Sequence, residues 1–383
     1  MEKGRKEKMR VLVFSHNFPP AIDGGSKLLS LVARELKSQG NQVLVLTSDA
    51  YSSDDYLNTR VERVREFGDF WGIRVIRLWT WRWGKAIIRR ITGPIFVWAP
   101  WLEIYRFKPQ KIIAGVFPTL IPIYAWILAR LLRVKLVLVP CFHQKERGFY
   151  RPWLGWVLRR ADQIWALTQK EKSFYQKKFG IASRKILVFK PKIEADLFLN
   201  KTQEAKFSEP PTIVFVGSQA AHKRIEWLIE AFEKLKFKLE SKEVERRKLK
   251  LKLILVGPKT LYSPKIEAKI KKLPQWVRKD IKALGRVSEK KKLEVLDQAW
   301  VLVNPSAHES LGLVFFEAWA RKKPVIGARM PVLEEVIDDG KNGLLFQKDD
   351  LEDLAEKIEM IITNKKLARK MGEAGYKKLV NSE

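Results

Sequence analysis

Short apolar runs rich in Val, Ile and Leu recur along the chain, separated by stretches in which apolar residues return every three or four positions. Uninterrupted runs of this kind suit parallel strands covered by helices on both faces of their sheet. The pattern predicts strands over residues 11–14, 43–46, 73–78, 111–115, 135–139, 163–167 and 186–188. A second series is predicted over 212–216, 252–256, 299–303 and 324–327. Residues 26–39 have helical spacing, and Gly40 stands where a C-cap belongs.

Between the two series, from Pro191 to Pro211, the pattern breaks into a polar, charged stretch ending in Pro210-Pro211. This break predicts two α/β domains, residues 9–195 and 205–383, each long enough to bury its own core. Ligands of such sheets bind outside the carboxyl ends of the strands, so those loops carry the candidate chemistry. The uncharged run 112–129 nears membrane-span length, but Pro118 and Pro122 divide it into a strand, a turn and a buried helix. The basic residues 1–10 precede an apolar stretch too short for a secretion signal. The charged stretch 235–252 reads as a solvated helix extended by charge pairs.

Composition narrows the reading. The 383 residues are 46% hydrophobic and carry 14 Trp, which excludes wholesale disorder. One cysteine, Cys141, excludes an internal disulfide framework and the common multi-cysteine zinc site; with only 4 His, no metal site is expected. The net charge of +31 predicts attraction to polyanions. Residues 1–300 hold +32 and the remainder −1, so the excess is regional.

Three strand-end loops stand out. After the first strand comes Phe18-Pro19-Pro20, then Gly24-Gly25-Ser26 and a helix. Paired glycines at a helix start let backbone amides approach an anion, although a tight turn with a serine cap also explains them. After residues 212–216 comes Gly217, followed by Lys223 and Arg224 at a helix start, which reads equally as a diphosphate clamp or a solvated helix end. After residues 299–303 comes Asn304, then Glu309, Ser310-Leu311-Gly312 and Glu317, the last inside an apolar stretch. A carboxylate there needs a partner, protein or ligand, if it faces inward. His143 follows the strand at 135–139, where a structural and a functional role are equally open.

Taken together, these landmarks resemble the retaining, two-domain glycosyltransferases of family 4 over nearly the whole chain. In the family's order come Phe18-Pro19-Pro20, Gly24-Gly25, Leu36 to Val45, His143, Ala161-Asp162-Gln163-Ile164, Gly217 with Lys223, Glu309/Glu317, and Asn342-Gly343-Leu344-Leu345-Phe346. The resemblance implies the GT-B fold, two Rossmann-like domains facing each other across a cleft. The N-terminal one would serve the acceptor and the C-terminal one a nucleotide-diphosphate-sugar, the co-substrate, with no cofactor and no metal. Lys223 would neutralise the diphosphate, helped by the Gly25 amide and those near Leu311-Gly312. Glu309 would contact hydroxyls of a hexose-type sugar, Glu317 those of the ribose, and His143 would lie near the transferred sugar. Catalysis would fall to Glu309, Lys223 and His143; Gly24, Gly25, Gly217, Lys223, Arg224, Glu309, Leu311, Gly312 and Glu317 would bind the donor.

The chain departs from the family at Ser218, where Arg is frequent and for which Arg224 would compensate. It departs again at Pro191-Lys192-Ile193-Glu194, where a glycine-bearing turn is lost. The last helix, which in the family crosses back to the N-terminal domain, is expected to be missing beyond Glu383. Ten of the 14 Trp lie between Trp71 and Trp165, and residues 79–90 mix Trp with cations. Trp and cations together suit an anionic membrane interface. The expected setting is cytoplasmic and peripheral at the membrane face, with a lipid-linked saccharide or cell-envelope glycan as acceptor. The rival is a polyanion- or membrane-binding protein on a degenerate transferase scaffold. No recognisable nucleic-acid module is present, and a polyanion binder has no need of Glu309 and Glu317. A sugar phosphorylase of the same fold resembles the chain far less.

Overall fold

A computed structural model describes residues 8–21, 24–50, 68–80, 100–115, 119–141, 152–189, 205–241 and 250–381. His143, residues 81–90 and residues 191–204 lie outside them. The chain divides into two compact units, Met1–Lys192 and Ile193–Glu383, with the division inside the charged break.

The first unit is an eight-stranded sheet built from β1 (Arg10–Ser15), β2 (Gln42–Ser48), β3 (Gly68–Phe70), β4 (Ile73–Leu78), β5 (Lys111–Gly115), β6 (Lys135–Leu138), β7 (Gln163–Ala166) and β8 (Ile186–Val188). Its order is β3-β4-β2-β1-β5-β6-β7-β8. All neighbours run parallel except β3, which pairs antiparallel with β4 at the edge and was not expected from the pattern. Helix α1 (Gly24–Ser38) connects β1 to β2, and Gly40 closes it with a φ of +85°, which suits a residue without a side chain. On one face of the sheet, Leu12, Phe14, Leu44, Leu46, Ile112 and Ala114 pack under α2 (Trp101–Phe107), α3 (Ile121–Leu132) and α4 (Pro152–Arg160). Helix α5 (Gln169–Phe179) completes the connections. Central strands buried on both sides explain their unbroken apolar runs. Within 112–129 the described residues form a strand up to Gly115 and a helix from Ile121, and no described helix is long and apolar enough to cross a membrane.

The second unit is a six-stranded, all-parallel sheet of β9 (Thr212–Val216), β10 (Lys252–Val256), β11 (Ile281–Gly285), β12 (Val301–Asn304), β13 (Val325–Ala328) and β14 (Gly343–Phe346), in the order β11-β10-β9-β12-β13-β14. Its helices are α6 (Ile225–Ser241), α7 (Ser263–Lys272), α8 (Gln275–Arg278), α9 (Glu289–Gln298), α10 (Leu313–Ala320), α11 (Pro331–Val336), α12 (Leu351–Ile362) and α13 (Lys365–Val380). Of stretch 235–252, α6 continues to Ser241, and residues 242–249 lie outside the described residues. Lys238 Nζ lies 2.6 Å from Glu359 of α12, and Lys236 Nζ lies 2.7 Å from Asp280.

Strand order reverses between β9 and β12. From β9 the chain proceeds to β10 and β11 on one side, and from β12 to β13 and β14 on the other. The loops leaving the carboxyl ends of β9 and β12 therefore start as neighbours at the place where open sheets of this kind bind ligands. Those loops are 217–224 and 305–312.

Candidate functional site

The loop after β9 begins at Gly217 and forms a 3-10 turn over Ala221–Lys223 before α6 starts at Ile225. Space for a Cβ at Gly217 is taken by the Phe215 ring at 3.1 Å, and Lys223 Cδ lies 3.9 Å away. The loop after β12 is tied to it through a hydrogen bond from the Ala307 amide to the His222 carbonyl, 2.8 Å. Lys348, in the turn after β14, donates to the Ala307 carbonyl at 3.0 Å. Three strand-end loops are thus fastened into one wall.

Lys223 and Glu309 meet on that wall. Lys223 Nζ is 2.5 Å from Glu309 Oε1, and their side chains are 17% and 8% exposed. Asn304 Nδ2 donates to the same oxygen at 3.0 Å, and Ser306 Oγ donates to Asn304 Oδ1 at 2.9 Å. Asn304 and Ser306 are buried, so the carboxylate is aimed by groups that have no room to turn. Sequence reasoning quoted Asn304 without giving it a role; its polar side chain at the end of an apolar strand was the available signal.

Gly312 forms the N-cap of α10 with φ +71°, a left-handed conformation that favours glycine. A Cβ there would stand 2.5 Å from Phe315 Cδ2. The cap makes no side-chain hydrogen bond, so the first turn of α10 offers backbone amides beside Leu311 and Glu309. Further along α10, Glu317 is buried, which settles that it faces inward. Its Oε2 lies 3.2 Å from Lys292 Nζ of α9, a partner invisible in the sequence because Lys292 sits among other lysines.

Arg224 is held differently. It adopts φ 49°, stacks 4.9 Å from the Trp227 ring centroid and forms an ion pair with Asp349. The structure thus directs Arg224 to the turn after β14, while Lys223, the residue before it, reaches Glu309.

In the first unit, Gly24 and Gly25 form the first turn of α1 itself rather than a turn before it. Ser26 Oγ donates to the Ala21 carbonyl at 3.1 Å, so Ser26 is not the helix cap that the alternative reading required. The preceding loop is gripped by buried Arg77 of β4, which donates to the Phe18 carbonyl at 3.3 Å and to that of Pro19. Sequence reasoning passed over Arg77, a cation alternating with apolar residues in a strand. His143 lies outside the described residues. Among those residues, no group of three or more His, Cys, Asp or Glu side chains is placed to hold a metal ion.

Comparison with known proteins gives these loops a family. The model for glycosyl transferases group 1 matches residues 198–378, and that for the glycosyl transferase 4-like domain matches 23–192. An uncharacterized glycosyltransferase of Methanocaldococcus jannaschii is 33% identical over 166 residues, 42% of this chain and 41% of that protein. The lipopolysaccharide core biosynthesis glycosyltransferase LpsE of Rhizobium meliloti is 38% identical over 80 residues, 21% of this chain and 24% of that protein. In both cases the match spans less than two thirds of the curated relative. Anabaena HepE, whose crystal structure was solved in complex with UDP and glucose, superposes with a TM-score of 0.68 at 16% identity, covering 97% of this chain and 95% of that one. The two family models meet near the boundary between the units and leave out little more than the chain ends, and the chain belongs to the glycosyltransferases of the GT-B fold.

Proposed function

We propose that the protein transfers a hexose-type sugar from a nucleotide-diphosphate-sugar to an acceptor, with retention of the anomeric configuration and without a metal. The observation that carries this reading is the half-buried Lys223–Glu309 pair, backed by buried Asn304, beside the uncapped first turn of α10, at the point where strand order reverses. A diphosphate seated there finds a cation and backbone amides to meet its charge. As it takes Lys223, it frees Glu309 Oε1 for hydroxyls of the donor sugar, while Glu317 serves the ribose. The acceptor oxygen then attacks the anomeric carbon from the face that the diphosphate leaves. The carbon–phosphate oxygen bond breaks, and the departing phosphate takes the acceptor hydroxyl's proton. His143 is assigned to the transferred sugar, Gly25 to the diphosphate, and Arg224 to a supporting role at the rim.

The acceptor we assign is a lipid-linked saccharide or envelope glycan, met at an anionic membrane surface on the cytoplasmic side. Supporting this, α2 and α3 cover the same face of the first sheet and leave Trp101, Leu102, Tyr105, Ile127 and Leu131 exposed. Arg106, Lys108, Arg130 and Arg133 stand among them and are exposed. The one carboxylate of these helices, Glu103, is held by Arg74 at 2.7 Å. Amphipathic aromatics ringed by cations suit a headgroup layer.

A panel of nucleotide-sugars, scored by thermal stabilisation and by hydrolysis, tests the reading with Lys223→Ala and Glu317→Ala alongside. One donor should stabilise the wild-type protein, and both variants should lose that effect. Absence of any donor binding, or variants that bind like wild type, would overturn the transferase reading in favour of polyanion binding. The anomer of the product, read by NMR, tests retention.

A further inference from the structure

The 3-10 turn over Ala221–Lys223 sends two consecutive cations to different partners, Lys223 to Glu309 and Arg224 to Asp349. The Arg224 amide closes that turn on the Ala221 carbonyl at 3.2 Å. Arg224 takes a φ of 49° and Asp349 a φ of 67°, so both members of this ion pair are left-handed. That conformation is costly for a residue with a side chain. Such strain persists only where the surrounding structure holds it, and it gathers at functional sites.

Stability gives little reason for the pair. Its side chains are 24% and 58% exposed, and ion pairs open to water contribute little. The helices that follow do not need it either. α6 and α12 already share a core through Ile229, Phe232, Leu354 and Ile358, and Lys234 and Lys238 of α6 pair with Glu352 and Glu359 of α12. What the pair does is complete a ring of contacts around the site. Loop 217–224 is bonded to loop 305–312 through His222 and Ala307, and Ala307 to the turn after β14 through Lys348. Arg224 and Asp349 join that turn back to loop 217–224, with the guanidinium further held 4.9 Å from the Trp227 ring centroid. Without this third tie, the strained turn that aims Lys223 is free to relax.

We propose that Asp349 is a positioning residue for the donor site: by holding Arg224, it keeps the strained turn that directs Lys223 to the diphosphate. This rests on the placement of the diphosphate at Lys223 made above. In this role the Arg224 guanidinium is an anchor for the backbone at residue 224, and the cation that meets the diphosphate is Lys223.

The test uses the full chain and whichever of UDP, GDP or ADP stabilises it most, with the corresponding monophosphate as control. Asp349→Asn removes the charge but keeps a residue that tolerates a left-handed φ. It should weaken diphosphate binding by about fivefold and monophosphate binding by less than about twofold. Arg224→Met should do the same. Arg224→Gly, for which the left-handed turn carries no steric cost, should recover most of the affinity that Arg224→Met loses. In a Lys223→Met background, Asp349→Asn should add less than about a twofold loss, because it acts through Lys223. Tighter or unchanged diphosphate binding in Asp349→Asn overturns the proposal. So does an equal loss in Arg224→Gly and Arg224→Met, which would make the guanidinium itself a ligand, and so does a further loss in the Lys223→Met background. If wild-type protein binds mono- and diphosphate alike, or Lys223→Met binds as wild type does, the placement of the diphosphate fails and takes the proposal with it.

Discussion

Lys223 and Glu309, 86 positions apart in sequence, meet at 2.5 Å where the loops after β9 and β12 converge. Asn304 shares the same carboxylate oxygen at 3.0 Å. The pair is mostly buried, so removing one member takes a close opposite charge from the other. Lys223→Met should cost about 3 kcal/mol of stability, and the Lys223→Met/Glu309→Gln pair should recover most of it. Transfer should fall by about 100-fold or more in either variant. Urea denaturation and a donor-hydrolysis assay check both points, and additive stability losses would show that the two residues are not coupled.

Helix α13 supports α10 at close range, because a Cβ at Gly375 would lie 2.0 Å from Trp319 Cδ1. Trp319 is fully buried and anchored by its Nε1 donating to the Asn342 carbonyl at 2.9 Å. It cannot retreat without disturbing α10, which carries Glu317. Gly375→Ala is expected to lower stability by about 1–3 kcal/mol. Nucleotide affinity should fall with it, although Gly375 belongs to no binding loop. Titration of a nucleotide into the folded variant would decide this; unchanged affinity would separate α13 from the site.

Lys323 is fully buried beneath the Phe207 ring, 4.4 Å from its centroid, and donates to the Lys206 carbonyl. Burial drags its pKa from 10.5 to about 7, Asp297 opposing that pull and Arg321 adding to it. Between those values the unfolded chain binds a proton that the folded chain lacks. Stability attributable to this group should therefore rise with pH across that window, by up to about 1.4 kcal/mol per unit. Lys323→Met is expected to be more stable than wild type near pH 6, the gap closing toward pH 10. Parallel melting profiles for the two proteins would refute it.

The exposed face of α2 and α3 makes a claim about membranes. Wild-type protein should float with anionic vesicles at low salt and detach progressively as salt rises. Replacing Trp101, Leu102 and Tyr105 together by Ser should abolish flotation while leaving donor hydrolysis intact. Flotation that survives this triple change would move the contact elsewhere.

Much of the fold was legible because parallel strands buried on both faces leave unbroken apolar runs, as in β1, β2, β5, β9 and β10. The strands not foreseen lie where that rule weakens. β11 is an edge strand whose central Lys282, Ala283 and Leu284 are exposed, and β3 is a three-residue antiparallel edge. β14 was noticed only as the sequence Gly343-Leu344-Leu345-Phe346. Glycines, cations and carboxylates at strand ends marked the donor loops, since a strand's carboxyl end can be located from its apolar run.

The order of strands, helices and candidate loops was written in the linear pattern, because burial acts on each segment's own side chains. Which charged residue meets which was not. Lys223 and Arg224 are neighbours in sequence, yet one reaches Glu309 and the other Asp349; a left-handed φ at Arg224 and the turn before it send them apart. Lys292 is one of three consecutive lysines in the sequence, and only the packing of α9 turns it toward Glu317. Ion pairs between distant segments depend on helix rotation and sheet order, and these exist only once the strands have assembled.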